Sequence, residues 1–352
     1  MSEPQEKPAA ASLAERLRTF LAERRESLSP LLILTHDFPD PDALASAYAL
    51  QHLAQTGFGI SCRIAYGGEV GRTENKAMIR LLRIPAHRLK PIWFKQHAGI
   101  ALVDTQPHFE NNAFPANRRA TVVIDQHPSP SPAEADLVLL DSECGATSVI
   151  LARALLQHGT DIPNRVATAL AYGILTDTLD LYRARREDVV QTYLEILQHC
   201  DMRTLARIQN PMRSRRFFAT LGKGIREASQ YRRLLVTHLG LVETPDLVSQ
   251  VAEFLLAYRR IAWCLVTGRY QGRLHASLRT TRTDTPAGPV LRDAFGNPKQ
   301  AGGHGPIAGG SCRIGRDAEP AAWEACEQKI QAGVVKRLRI AASVDPRKPF
   351  VR

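Results

Sequence analysis

The sequence contains no stretch that reads as a membrane span, a leader or a cysteine-based site. No segment reaches the roughly 18 uncharged apolar residues that a membrane span needs. The start, MSEPQEKPAAASLAE, lacks a basic segment followed by an apolar one. The expectation is a cytoplasmic protein with no membrane partner. Six cysteines, at 62, 144, 200, 264, 312 and 326, are scattered without a C-x-x-C pair. They suggest neither a zinc site nor a disulfide framework, which suits a reducing compartment. Acidic residues are also short, with 35 Asp and Glu against 46 Lys and Arg. The net charge of +11 favours a polyanionic partner, because clustered cations gain by neutralising phosphates.

The excess of base is uneven. Residues 202–233 carry nine Lys or Arg against one acid, Glu227, and residues 254–283 carry six Arg and no acid. At 352 residues the chain suits two domains. An N-terminal tail and helix fill 1–28, with Leu13, Leu17 and Leu21 on one stripe. From there, strand and helix alternate. The runs LLILTH, ISCRIAY, GIALVDT, TVVIDQH and DLVLLDS read as strands, and helices follow from Asp42, Gly145 and Pro163. Short, continuously apolar strands separated by helices imply a mostly parallel sheet covered on both faces, over 29–200. A basic linker or helix spans 201–230. A smaller α/β domain follows over 231–345, with a hairpin turning at Gln271-Gly272, a Gly-rich loop at 302–315 and a last helix from about 320 to 338.

The chemistry gathers at the strand ends. HDFPDPDALAS places His36, Asp40 and Asp42 in the turn after the first strand, with Pro41 set for a first helical turn. Asp104 ends the GIALVDT run, Asp125 and His127 end TVVIDQH, and Asp177 lies in YGILTDT. Taken singly, each acid reads as a cap or turn residue. In a parallel sheet they converge at one edge, and so many acids share a pocket only when cations sit among them. Hard oxygens with a minority of imidazoles favour Mn²⁺ first and Mg²⁺ second. A carboxylate bridging two such ions is the arrangement of phosphoryl displacement.

In their order along the chain, HDFPDPDALAS, ALVDT, VIDQHPSP, GILTDT and GGHGPIAGG resemble the motifs of the DHH (Asp-His-His) phosphoesterase family with its DHH-associated second domain. Within it the nanoRNase and pAp-phosphatase branch is the most similar. The resemblance implies two divalent cations, one on His36, Asp40 and Asp104, the other on Asp42, Asp104 and Asp177, with Asp104 bridging. It implies that His127 meets the scissile phosphate, with Asp125 behind it. It also implies that Arg279, Gly302, Gly303 and His304 hold the substrate, in a cleft between the two domains. Short oligonucleotides or nucleotides would then be the partners, and a homodimer is left open. One position departs from the family: Gln126 stands where a metal-binding histidine is expected. Its carbonyl oxygen donates more weakly than imidazole. Three readings stay open: a working phosphodiesterase or phosphatase, a pyrophosphatase or polyphosphatase on the same fold, and a nucleotide-binding regulator with an impaired centre. Milder departures are Pro41 and Ala45 in place of glycines, Ile307 in place of alanine, and LDLYR after Thr178 without a glycine.

Overall fold

The computed structural model describes residues 12–351 except 130, 132, 160 and 342. The chain divides into two compact units, residues 1–211 and 212–352.

In the first unit the order is α1 (Leu13–Leu28), β1 (Leu31–Thr35), α2 (Pro41–His52), a π-helical turn (Leu53–Gly57), β2 (Cys62–Tyr66), α3 (Thr73–Leu82), β3 (Ala86–Arg88), α4 (Trp93–Gln96), β4 (Gly99–Val103), β5 (Ala120–Asp125), β6 (Ala135–Leu140), α5 (Thr147–His158), α6 (Asn164–Thr178), α7 (Glu187–Leu197) and α8 (Met202–Gln209). All six strands are parallel, in the order β3-β2-β1-β4-β5-β6. Every residue of β1 and of β4 is buried, as their unbroken LLILT and GIALV runs require of strands covered on both faces. One face packs Ile33, Val103 and Ile124 with α2, α5 and α6. The other packs Leu32, Leu34 and Leu102 with Trp93, Phe94 and Phe114. The sheet expected to be mostly parallel is found, and it is wholly parallel.

That strand order contains a reversal. From β1 the chain moves outward to β2 and β3, then returns to β4 on the other side of β1. The connections after β1 and β4 therefore leave in opposite directions, opening a crevice at the strands' carboxyl ends.

The stretch 201–230 is shared between the units. In the first, α8 buries Leu205 and Ile208. In the second, α9 (Arg215–Glu227) turns Phe217, Leu221 and Ile225 onto the core that contains Leu239 and Val251. The rest of the second unit is β7 (Ser229–Tyr231), β8 (Leu234–Leu241), α10 (Asp246–Leu256), β9 (Trp263–Tyr270), β10 (Arg273–Thr280), α11 (Ala287–Phe295), β11 (Ala301–His304), β12 (Ile307–Arg313) and α12 (Pro320–Arg337). Its mixed sheet runs β11-β12-β10-β9-β8-β7. The hairpin between β9 and β10 turns at Gln271 and Gly272, both at positive φ.

The Gly-rich segment read as a loop is instead the β11/β12 hairpin, in register from Ala301 against Gly310 to His304 against Ile307. Its glycines answer to packing. A Cβ on Gly310 would lie 2.7 Å from the Phe295 ring, and one on Gly288 of α11 would lie 2.2 Å from the Gly303 carbonyl oxygen. Backbone thus lies against backbone where α11 crosses the hairpin.

Candidate metal centre

The crevice between the ends of β1 and β4 holds the acidic residues. Asp40 is the N-cap of α2, accepting from the Ala43 amide at 3.0 Å, and Pro41 occupies the first turn. Asp104 follows β4 at φ 59°, a left-handed conformation that Asp tolerates better than most residues. The bend sets its carboxylate at the sheet edge, only 1% exposed. His36 Nε2 faces Asp104 at 3.5 Å and Asp40 at 3.7 Å, while its Nδ1 lies 2.8 Å from the Asp37 carbonyl oxygen. With Nδ1–H donated to that carbonyl, the Nε2 lone pair points at the carboxylates, which is how metal-binding imidazoles are held.

His36, Asp40 and Asp104 present one ligand atom each within 4.8 Å of one another, and Asp104, Asp125 and His127 form a second such group. Asp42, Asp104 and Asp177 do not close into a set of that kind. Both Asp42 carboxylate oxygens accept backbone amides at the start of α5, from Thr147 at 2.7 Å and Ser148 at 2.8 Å. The partial positive charge of a helix N-terminus compensates part of that buried anion.

Gln126 reaches the same place from β5. Its amide nitrogen lies 3.3 Å from Asp177 Oδ2 and 3.3 Å from His127 Nε2. A half-turn of that amide would exchange donor for acceptor at this spot. His127 Nδ1 lies 2.8 Å from Asp125 Oδ1, and Asp125 Oδ2 accepts from Gln106 Nε2 at 2.8 Å.

The electrostatics show what the cluster needs. Burial, then repulsion from Asp104 and Asp40, raises Asp42 well above the usual carboxylate range. Burial followed by the charges of Asp42, Asp40 and Asp104 pushes Asp177 up to about 10. Burial also raises Asp104, against the opposing pull of His36. Burial would lower the His36 imidazole, but Asp104 and Asp40 outweigh it and raise it well above its ordinary value. His127 rises to about 9, chiefly through its hydrogen bond to Asp125. Among the described residues no Lys or Arg is ion-paired with His36, Asp40, Asp42, Asp104 or Asp177. The centre therefore takes up protons or a cation. Two carboxylates, Asp40 and Asp104, beside one correctly turned imidazole fit a hard divalent ion.

Four residues not marked by the sequence complete the site. Thr147 and Ser148 hold Asp42, and Thr147 Oγ1 also donates to Asp104 at 2.7 Å. Gln106 ties Asp125 to the His127 carbonyl oxygen at 2.9 Å. Phe109 stands edge-on to the His127 ring, centroids 6.4 Å apart. The G-A-T-S opening of α5 was the available signal, since small and hydroxyl residues at a helix start suit an anion. After α6 the chain passes through Leu179, Asp180 and Leu181, all at φ between 50° and 68°. Three left-handed residues in a row, with no glycine, hold strain immediately beyond Asp177.

In the second unit Arg279 is 7% exposed. Its guanidinium meets Glu253 at 3.3 Å and the Ala308 carbonyl oxygen at 3.1 Å. Gly302 and Gly303 lie in β11, opposite Gly309 and Ala308. The His304 side chain lies outside the described residues.

Fold and site together define the first unit as an open parallel α/β domain with an acidic, imidazole-bearing centre at its switch point. Residues 30–174, within this unit, match the DHH family, N-terminal domain. The chain is 32% identical over 291 residues to an uncharacterised protein of Methanocaldococcus jannaschii, covering 82% of this chain and 59% of that protein. It is 26% identical over 156 residues to a probable manganese-dependent inorganic pyrophosphatase of Streptococcus pyogenes, covering 43% of this chain and 49% of the relative. The chain thus spans about half the length of these curated relatives. A crystal structure of an exopolyphosphatase-related protein from Bacteroides fragilis superposes with a TM-score of 0.70, covering 94% of this chain and 99% of that one at 16% identity. At that identity the likeness is one of fold.

Proposed function

We propose that the chain is a divalent-metal-dependent phosphoesterase of the DHH superfamily that hydrolyses short oligonucleotides or nucleotides, in the manner of the nanoRNase and pAp-phosphatase branch. The observation that carries this reading is the set His36, Asp40 and Asp104 within 4.8 Å at the switch point, with His127 beside it. A divalent cation there would supply Lewis acidity, making water nucleophilic near neutral pH and neutralising phosphoryl charge. His36, Asp40 and Asp104 would hold one ion; Asp42, Asp104, Asp177 and the Gln126 carbonyl would hold another. Mn²⁺ is the first choice and Mg²⁺ the second. His127, protonated with Asp125 behind it, would donate a hydrogen bond to the phosphoryl group and a proton to the leaving oxygen. In the second unit Arg279, Gly302, Gly303 and His304 would contact the substrate, Arg279 by exchanging Glu253 for phosphate.

One specific feature favours a second reading. Gln126 replaces an imidazole, and Asp42 already serves two backbone amides, so the second ion would be held weakly and the chain would bind nucleotides without cleaving them. The test compares the parent chain with Gln126→His on 5′-phosphorylated di- and tetranucleotides in Mn²⁺ and in Mg²⁺, following mononucleotide release. Hydrolysis by the parent supports the enzyme. Cleavage by the histidine variant alone supports the binder, and pyrophosphate turnover without nucleotide turnover supports a pyrophosphatase.

A further inference from the structure

The second unit has a pocket of about 470 Å³ that the acidic centre does not explain. It lies where β8 and β9 begin, β10 has just ended and α12 stops. Its floor is apolar: Leu234, Ala262, Trp263, Leu338 and Ile340. Its rim is five arginines, Arg232, Arg233, Arg282, Arg337 and Arg339, with Thr285 between. Arg282 is paired with Asp284 and Arg337 with Asp293. Among the described residues Arg232, Arg233 and Arg339 have no acidic partner.

The backbone gives no reason for arginine at two of these places. Arg232 is in the two-residue turn from β7 to β8 at φ 54°, where Asn or Gly is favoured. Arg339 is at φ 55° in the turn that ends α12, with the Ile340 amide donating to the Val335 carbonyl oxygen, where Gly is the usual choice. Both residues hold a left-handed backbone that arginine disfavours, and both line this pocket. Three uncompensated guanidiniums over one apolar floor form a field that an anion relieves. Their forked donors match phosphate oxygens. Phosphate alone would leave the floor bare, whereas a flat, weakly polar ring would cover it. The volume suits a ligand of nucleotide size.

We propose that this pocket binds a nucleoside polyphosphate, its base on the floor around Trp263 and its phosphates on Arg232, Arg233 and Arg339. The assignment is independent of the phosphoesterase reading. The test uses the full chain in EDTA, which denies the first unit the cation through which it would hold phosphate. Titration calorimetry is run with ATP, inorganic tripolyphosphate and adenosine. One ATP per chain is expected, with tripolyphosphate at least tenfold weaker and adenosine without measurable heat. Arg339→Ala should weaken ATP on the order of tenfold, the usual worth of a charge-assisted contact. Arg232→Ala/Arg233→Ala should weaken it more. In the unsubstituted chain, ATP should protect Arg232, Arg233 and Arg339 from phenylglyoxal. Absence of ATP binding, ATP binding unchanged in these variants with no protection, or tripolyphosphate binding as tightly as ATP would overturn the proposal. Mn²⁺-dependent turnover, scored separately, reports on the first unit alone.

Discussion

Replacing Gly173 by alanine sets two opposed effects against each other at one atom. Gly173 lies inside α6, where alanine is intrinsically better by about 1 kcal/mol. The added Cβ, however, would lie 2.5 Å from Ser148 Oγ, 3.0 Å from Ala45 Cβ and 3.2 Å from Asp42 Cα. Ser148 cannot swing away freely, because its hydroxyl lies 3.2 Å from Ser46 Oγ. Asp42 Cα is backbone, fixed by the amides at the start of α5. Ordinary carbon contacts need about 3.5–4.0 Å, so α6 has to move off α2 and α5 by several tenths of an ångström. Overpacking of this kind costs about 1–3 kcal/mol, which leaves a net loss of about 0–2 kcal/mol after the helix gain. Function should suffer more than stability. Asp177 is one turn further along the same helix, 3.3 Å from Gln126, and a displacement approaching 1 Å costs on the order of 100-fold in rate. The measurements are thermal unfolding in EDTA and Mn²⁺-dependent dinucleotide hydrolysis. A variant with a higher melting temperature and unchanged turnover would refute the argument that α2, α5 and α6 meet at this residue.

Three further outcomes are expected. Asp104→Ala removes the carboxylate common to both ligand groups, so Mn²⁺-dependent hydrolysis should fall at least about 1,000-fold, read together with the Mn²⁺ titration midpoint; substantial turnover would sink the metal-centre reading. His127 rises to about 9 from an ordinary 6.5, so it contributes stability that is fully present below pH 6.5 and is lost as pH climbs through 9. In EDTA the melting temperature should fall across that window, and Asp125→Asn should flatten the slope; a parallel slope in the variant would show that another group is responsible. Arg269 grips Glu327 through two contacts, 3.1 and 2.9 Å, and its guanidinium lies 5.5 Å from the Trp323 ring centroid. Arg269→Ala leaves a carboxylate only 4% exposed without that partner, at about 3–5 kcal/mol, measurable by urea unfolding of the full chain.

Much of the first unit was legible because its strands are buried on both faces and so read as unbroken apolar runs. Their carboxyl ends were visible in LLILTH, GIALVDT and TVVIDQH, and with them His36, Asp104, Asp125 and His127. What periodicity does not carry is the order of strands. That β1 lies between β2 and β4 is a choice of connection, and it is what brings Asp40 to Asp104. Nor does spacing reveal that the amides receiving Asp42 belong to Thr147 and Ser148, more than a hundred residues on. The 302–315 segment was misread because glycine normally marks turns. In this chain Gly310 makes room for the Phe295 ring of α11, a demand from a residue outside the hairpin, and Gly303 for the facing strand of its own hairpin. The helix α11 was itself hidden, since AGPVLRDAF carries a glycine and a proline in its first turn.

The connection between β4 and β5 runs from Asp104 to Arg119 and holds itself together. Asn112 Nδ2 donates to Thr105 Oγ1, to Gln106 O and to Phe109 O, and Asn111 accepts from both Thr105 Oγ1 and the Asp37 amide. Beyond Asp104 itself, it meets the centre through Gln106 and Phe109 on the His127 side and through the Asn111 carbonyl oxygen, which holds the amide of Asp37 next to His36. A chain built this way separates what it does from what it accepts. Substitution in the loop can reshape the wall beside His127 while the carboxylates stay where the sheet puts them, so new specificities can arise from this scaffold without first dismantling its chemistry.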